Sequence, residues 1–162
     1  MGSPSDLPVM EEATVMLDSL EIPYENFLTS AHRSPRRTFE YARTARQRGL
    51  QVLIVGAGGA AHLAGVIAAE TTLPVIGVPI DSSPLKGWDA LLSMVQMPGG
   101  VPVATMAVGK TGAKNAAIFA AQILSLSCEE KARKLSSFKE GLARQVEEQG
   151  GEIEKRPPRR NA

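Results

Sequence analysis

The sequence predicts a doubly wound α/β domain, a parallel sheet with helices on both faces. Three observations predict it. The runs Val52-Leu53-Ile54-Val55 and Val75-Ile76-Gly77-Val78 are short, apolar and bounded by Gly or Pro, as strands are when both their faces are covered. Longer segments with helical spacing of apolar residues alternate with these runs, which is the pattern of βαβ units. At 162 residues, 43% of them hydrophobic, the chain has the length of one domain, and such a domain hides roughly 70% of the surface its unfolded chain exposes. Aromatic residues make up only 4%, so the core must be built from Ala, Val, Leu, Ile and Met.

The chain opens on the turn Met1-Gly2-Ser3-Pro4-Ser5-Asp6, small residues with a helix cap. A first helix follows. Pro8 suits a first turn, Glu11 and Glu12 suit the positive amino end, and Val9, Ala13, Met16, Leu17 and Leu20 recur at helical spacing. Ser3, Ser5 and Asp6 fit plain capping and an anion site equally, because both use the same free N–H groups. Ile22 to Leu28 reads as a strand. Ser34-Pro35 then opens a second helix, by cap and first-turn proline, running to Gly49 with Phe39, Ala42 and Ala45 inward. Arg36, Arg37, Arg43, Arg46 and Arg48 form its outer face, read as solvated or as a subunit contact. Gly56 to Gly59 is the turn after the first buried strand, and Ala60 to Glu70 is an Ala-rich helix. Beyond the second buried strand come a short helix around Asp89 to Val95, a strand over Val101 to Val108 interrupted by Pro102, and a helix over Gly112 to Leu126. A charged amphipathic helix closes the fold over Glu129 to Gln149. The domain reading is therefore a catalytic unit over 1–127, a helix within 128–150 expected to lie on a neighbouring subunit, and a disordered tail over 151–162.

Charge and cysteine content narrow the function. The net charge of +1 gives no reason to expect a nucleic-acid or membrane surface. Nine of the eighteen Lys and Arg lie after Cys128, leaving nine basic against ten acidic groups before it. A phosphate bound there must be held by a few placed donors. One cysteine excludes an intrachain disulfide and fits a reducing cytoplasm. No signal peptide and no bilayer-spanning apolar run is present.

The two histidines carry the chemistry. His32 lies in Ser30-Ala31-His32-Arg33-Ser34-Pro35, and His62 follows the loop Gly56-Ala57-Gly58-Gly59-Ala60-Ala61. In a doubly wound sheet these loops and the Gly2–Asp6 turn lie together at the carboxyl ends of the strands, where ligands sit. An imidazole suits moving one proton each way near neutrality. Arg33 can clamp phosphate or carboxylate with two parallel bonds. Other chemistries fit poorly. The Gly loop is not G-x-G-x-x-G, and Gly109-Lys110-Thr111 lacks the first glycine of a Walker A loop. No H-x-x-x-H pair suggests a metal, and no nucleophile elbow suggests a hydrolase triad.

Four motifs in order make the chain similar to a known family. SAHR-x-P, GAGGAAHL, PVIGVP and SMVQMP-x-GVPVAT resemble the N5-carboxyaminoimidazole ribonucleotide mutases of purine biosynthesis, from Met1 to about Leu126. The resemblance implies a flavodoxin-like three-layer fold, a homo-octamer with active sites at subunit contacts, and a cytoplasmic enzyme. It implies transfer of a carboxylate from an exocyclic nitrogen to ring C4 of an aminoimidazole ribonucleotide, without metal, biotin or ATP. His32 is then the general acid/base. Ser3, Asp6 and Arg33 hold phosphate and ribose, Ser30 and Gly58 line the pocket, and His62 is its wall. The family carries an apolar strand immediately ahead of the Met-Gly-Ser turn. No such run precedes Met1 here, and both neighbours of that central strand are expected to show unpaired edges. Ala64 stands where the family has Pro, which removes no functional group. Direct carboxylation of the unmodified ribonucleotide by carbon dioxide, a flavin- or nucleotide-binding module, and a catalytically dead scaffold subunit are the competing readings.

Overall fold

The computed structural model describes residues 1–154; positions 155–162 of the expected tail lie outside the described residues. Helix α1 spans Leu7–Ser19, preceded by a 3-10 turn over Pro4–Asp6. Ser3 and Asp6 form a reciprocal capping box, the Ser3 side chain accepting from Ser5 N and the Asp6 carboxylate from Ser3 N at 2.9 Å. Helix α1 buries Met10, Ala13, Met16 and Leu17. Its end is a Schellman turn: Glu21 N–H donates to Asp18 O and Ile22 N–H to Leu17 O, with Glu21 in the left-handed region at φ 54°.

The sheet has three parallel strands in the order β1-β2-β3: β1 Leu53–Gly58, β2 Val75–Ile80 and β3 Ala104–Thr105. Leu53 registers with Val75 and Gly58 with Ile80, while Gly77 registers with Thr105. All six residues of β2 are buried. On one face lie α1, α5 (Lys110–Ser125) and the first half of α6 (Glu129–Glu154). On the other lie α2 (Pro35–Ala45), α3 (Leu63–Glu70) and α4 (Trp88–Val95). The three-layer α/β arrangement expected from the sequence is thus present. The buried side of α5 is Gly112, Ala113, Ala116, Ala117, Ala120 and Ala121, small residues that let α1 approach closely.

Three sequence expectations change. The run 22–28 is extended but pairs only through its end: the Met1 α-amino group donates to Phe27 O at 2.9 Å, and Thr29 N–H to Met1 O at 3.1 Å. The strand over Val101 to Val108 shrinks to β3, because Pro102 has no N–H to donate and the chain leaves the ladder on both sides. Met106 N–H and Gly109 N–H still tie it to Gly77 O and Pro79 O of β2. The last helix runs past residue 150 to Glu154. The arginines at 36, 37, 43, 46 and 48 are all exposed, as the reading of a solvated face expects, and Arg37, Arg43 and Arg48 also make contacts within the chain. Arg37 stacks over Phe27, Phe27 stacks on Tyr41 with ring centroids 4.0 Å apart, Arg48 covers Tyr41 and pairs with Glu25, and Arg43 pairs with Glu70. This ladder fastens the extended run to α2. Its exposed ion pairs contribute about 0–1 kcal/mol each, so the stacked rings carry most of the attachment.

Candidate active site

Three loops and one further residue build a pocket of about 440 Å³ at the carboxyl ends of β1 and β2. The capping turn brings Gly2, Ser3, Ser5 and Asp6. The loop before α2 brings Ser30, His32 and Arg33. The end of β1 brings Gly58, the loop after it His62, and Ser82 enters after β2. All seven residues singled out from the sequence line this one pocket. Ser82 was missed; its signal is its place just beyond the second buried strand, at the edge where ligands bind.

The two histidines touch. His32 Nε2 lies 2.8 Å from His62 Nδ1, the rings edge-to-face with an interplanar angle of 78°. One of these nitrogens donates and the other accepts, so the pair cannot carry hydrogen on both at once. Arg33 is anchored where it can act. Its Nη2 donates to Gly2 O at 3.0 Å and its backbone N–H to Ser30 Oγ at 3.2 Å. Arg33 thus ties its own loop to the amino-terminal turn. Ser34 makes no helix cap. Its Oγ accepts from Ser30 N–H at 3.0 Å and sits 3.3 Å from Thr29 Oγ1, closing the loop on itself.

Asp6 is 3% exposed. Its carboxylate accepts from both Gly2 N–H and Ser3 N–H, which occupies the N–H groups that an incoming anion would otherwise use. Burial raises its pKa above the ordinary 3.8, against the opposing pull of those two bonds, the amino terminus and Arg33. A raised carboxyl favours the protonated fold, so its contribution is present below pH 3.8 and is lost as pH rises through the folded value. Asp6→Asn keeps an acceptor for Gly2 and Ser3 but cannot ionise. Its urea midpoint relative to the parent is therefore expected to rise between acid and neutral pH. A difference that stays flat or falls over that range contradicts this account.

Gly58 has no room for a side chain, since a Cβ there would run into Ser82 Oγ. Gly58→Ala is expected to cost about 1–3 kcal/mol through overpacking. Adding Ser82→Gly should recover much of that loss, and a double-mutant cycle by chemical unfolding measures it.

The fold and the pocket define an α/β protein with a polar pocket at the carboxyl ends of its strands. The chain belongs to the AIR carboxylase family, whose model matches residues 1–145. It is 57% identical over 153 residues to the N5-carboxyaminoimidazole ribonucleotide mutase of Bacillus subtilis, covering 94% of each chain. To the enzyme of that name from Thermotoga maritima it is 54% identical over 154 residues, covering 95% of this chain and 89% of the relative. A crystal structure of Treponema denticola PurE superposes with a TM-score of 0.84 at 28% identity, covering 96% of both chains.

Proposed function

We propose that this chain is an N5-carboxyaminoimidazole ribonucleotide mutase, an isomerase that moves a carboxylate from the exocyclic nitrogen of the substrate to ring C4 in purine biosynthesis. The observation that carries the reading is the meeting of His32, His62, Arg33 and the Gly2–Asp6 turn in one pocket, in a chain so close to relatives bearing that name.

The chemistry needs one proton moved twice. Protonation of the carbamate nitrogen breaks the N–C bond and releases carbon dioxide. Ring C4 then attacks the carbon, the new C–C bond forms, and C4 is left with an extra proton. His32 delivers the first proton and removes the second, so it ends as it began. His62, in contact with His32, orients it. The bound gas must stay beside C4, and Ala57, Gly58, Ala60 and Leu63 give the pocket an apolar wall. Arg33 and Ser3 take the phosphate, Asp6 accepts from a ribose hydroxyl, and Ser30 completes that side.

The reading extends to assembly and place. The chain is taken as a homo-oligomer, an octamer, with 128–150 lying on a neighbouring subunit. Helix α6 buries Leu135 against its own chain but leaves Leu142 and Val146 exposed, which supports that contact. A cytoplasmic setting is supported by the single free thiol at Cys128. No helix among the described residues is long and apolar enough to cross a membrane.

The test supplies the carbamate substrate without bicarbonate, and separately the unmodified ribonucleotide with bicarbonate, while light scattering records the mass. Turnover of the carbamate alone is expected. Turnover only with bicarbonate would reassign the chain to direct carboxylation, and turnover of neither would leave it a binding module or scaffold.

A further inference from the structure

Among the described residues the buried polar side chains are Asp6, Thr29 and Thr38. Asp6 lines the pocket, and the two threonines do not. They flank the loop that carries His32 and Arg33: Thr29 stands just before Ser30, and Thr38 lies near the start of α2. Thr38 is 0% exposed, on the helix face that otherwise buries Ala42 and Ala45. A buried hydroxyl must be hydrogen-bonded or it destabilises the fold, and valine has nearly the same outline without that demand.

The hydroxyls satisfy one another in a circuit. Each carries one hydrogen. Thr38 Oγ1 donates to Ser34 O at 3.2 Å. Thr29 Oγ1 lies 2.9 Å from Thr38 Oγ1, and with the Thr38 hydrogen so placed Thr29 is the donor. Ser34 Oγ lies 3.3 Å from Thr29 Oγ1 and 3.3 Å from Ser30 O, and accepts from Ser30 N–H at 3.0 Å. Ser34 N–H donates to Ser30 O at 2.9 Å. Ser30 and Ser34, the two ends of the loop, are thereby tied to each other, and the tie is anchored through Thr29 to α2. Ser34 stands at the N-cap position, where a serine hydroxyl ordinarily accepts from the free N–H groups of its helix. It makes no such bond. The hydroxyl serves the loop instead.

The two functional side chains of the loop depend on this base unequally. Arg33 has a hold of its own, Nη2 donating to Gly2 O at 3.0 Å. Among the described residues the His32 ring bonds only to His62, so its aim is set by the backbone that carries it. We infer that Thr38 is a positioning residue for His32, acting through Thr29 and Ser34: the buried hydroxyls fix the base of the loop and hold the imidazole against His62, facing the reacting atoms. The inference rests on the mutase reading and adds to it a residue that touches neither substrate nor pocket. Displacing a reacting group by about 1 Å costs up to about 10²-fold in rate.

Thr38→Val and Thr38→Ser separate the hydroxyl from the packing. Val keeps the volume and removes Oγ1, so the Thr29 hydrogen loses its acceptor and turns to Ser34 Oγ, where it competes with Ser30 N–H. Ser keeps Oγ1 and leaves a methyl-sized void at a site with no exposed surface. The Val variant is expected to lose at least about tenfold in kcat with KM within about threefold of the parent, because Arg33 keeps Gly2 O, and the Ser variant to recover kcat to within about threefold. A side chain needed only for packing gives the reverse order. A smaller fall in the Val variant, a loss carried by KM instead, or a Ser variant as slow as Val overturns the inference. A parent that turns over neither the carbamate nor the unmodified ribonucleotide counts against the mutase reading alone. Crystal structures of the two variants then decide the positioning role: the contact of His32 Nε2 with His62 Nδ1 kept in the Ser variant and broken in the Val variant supports it, and the same outcome in both overturns it.

Discussion

His32→Asn will abolish turnover while leaving the fold and substrate binding in place. Asn is smaller than imidazole and its amide reaches only as far as the ring's Nδ1, so the contact of His62 Nδ1, now 2.8 Å from His32 Nε2, is given up without disturbing the loop. Its neighbours in the loop are held by other bonds: Ser34 Oγ to Ser30 N–H, and Arg33 to Gly2 O. Nothing that shapes the pocket depends on the ring itself. What Asn cannot do is accept a proton at neutral pH and return it. General acid–base catalysis is worth about 10²–10⁴ in rate, and here one group would serve both transfers. A fall in kcat of at least about 10²-fold is therefore expected, with the dissociation constant for substrate, measured by calorimetry on the variant, within a few-fold of the parent. A kcat within a few-fold of the parent would remove His32 from the mechanism. Equal losses in binding and turnover would instead make it a substrate-holding residue.

The largest stability loss is expected at Ile76. This side chain is 0% exposed in β2, between β1 and β3, and packs into the core formed with α1 and α5. The neighbours across that interface are mostly alanines of α5, which have no side-chain freedom with which to fill a void. Ile76→Ala should thus leave most of its cavity open and cost about 2–5 kcal/mol, a large part of the roughly 5–15 kcal/mol that holds an ordinary domain together. Val15 on α1 is 64% exposed, and Val15→Ala should cost under about 0.5 kcal/mol. Urea unfolding of the two variants checks the contrast. A cost below about 1 kcal/mol at Ile76 would mean that the core collapses around the deletion.

The buried strands were legible because their neighbours leave no polar face. Val52–Val55 and Val75–Val78 are apolar throughout, and the structure extends them only to Gly58 and Ile80. The start of α2 was legible because Pro35 sets it, whereas its end was not: the α-helix stops at Ala45 and a turn carries the chain to Gly49, at φ 89°. The run 22–28 was legible as extended backbone. Its status as a strand was not, because a ladder needs a partner and only Met1 supplies one. The arginines at 36–48 were legible as a solvated face, and all five are exposed; that Phe27 and Tyr41 lie beneath Arg37 and Arg48 was not legible.

The residues of the site were legible by type, and their roles rested on a resemblance. Their contacts were not legible. By itself the sequence determined the alternation of elements, the scarcity of histidine that drew attention to two loops, and the small residues that line the pocket. Those follow from local rules: side-chain shape, turn chemistry and the period of apolar residues. The tertiary structure alone decided that His32 meets His62 across 30 residues of chain, that Asp6 is buried onto its own turn, and that Ser82 closes against Gly58. Such distances are set by how the strands register and how the layers pack, quantities that depend on every element at once and on no single segment.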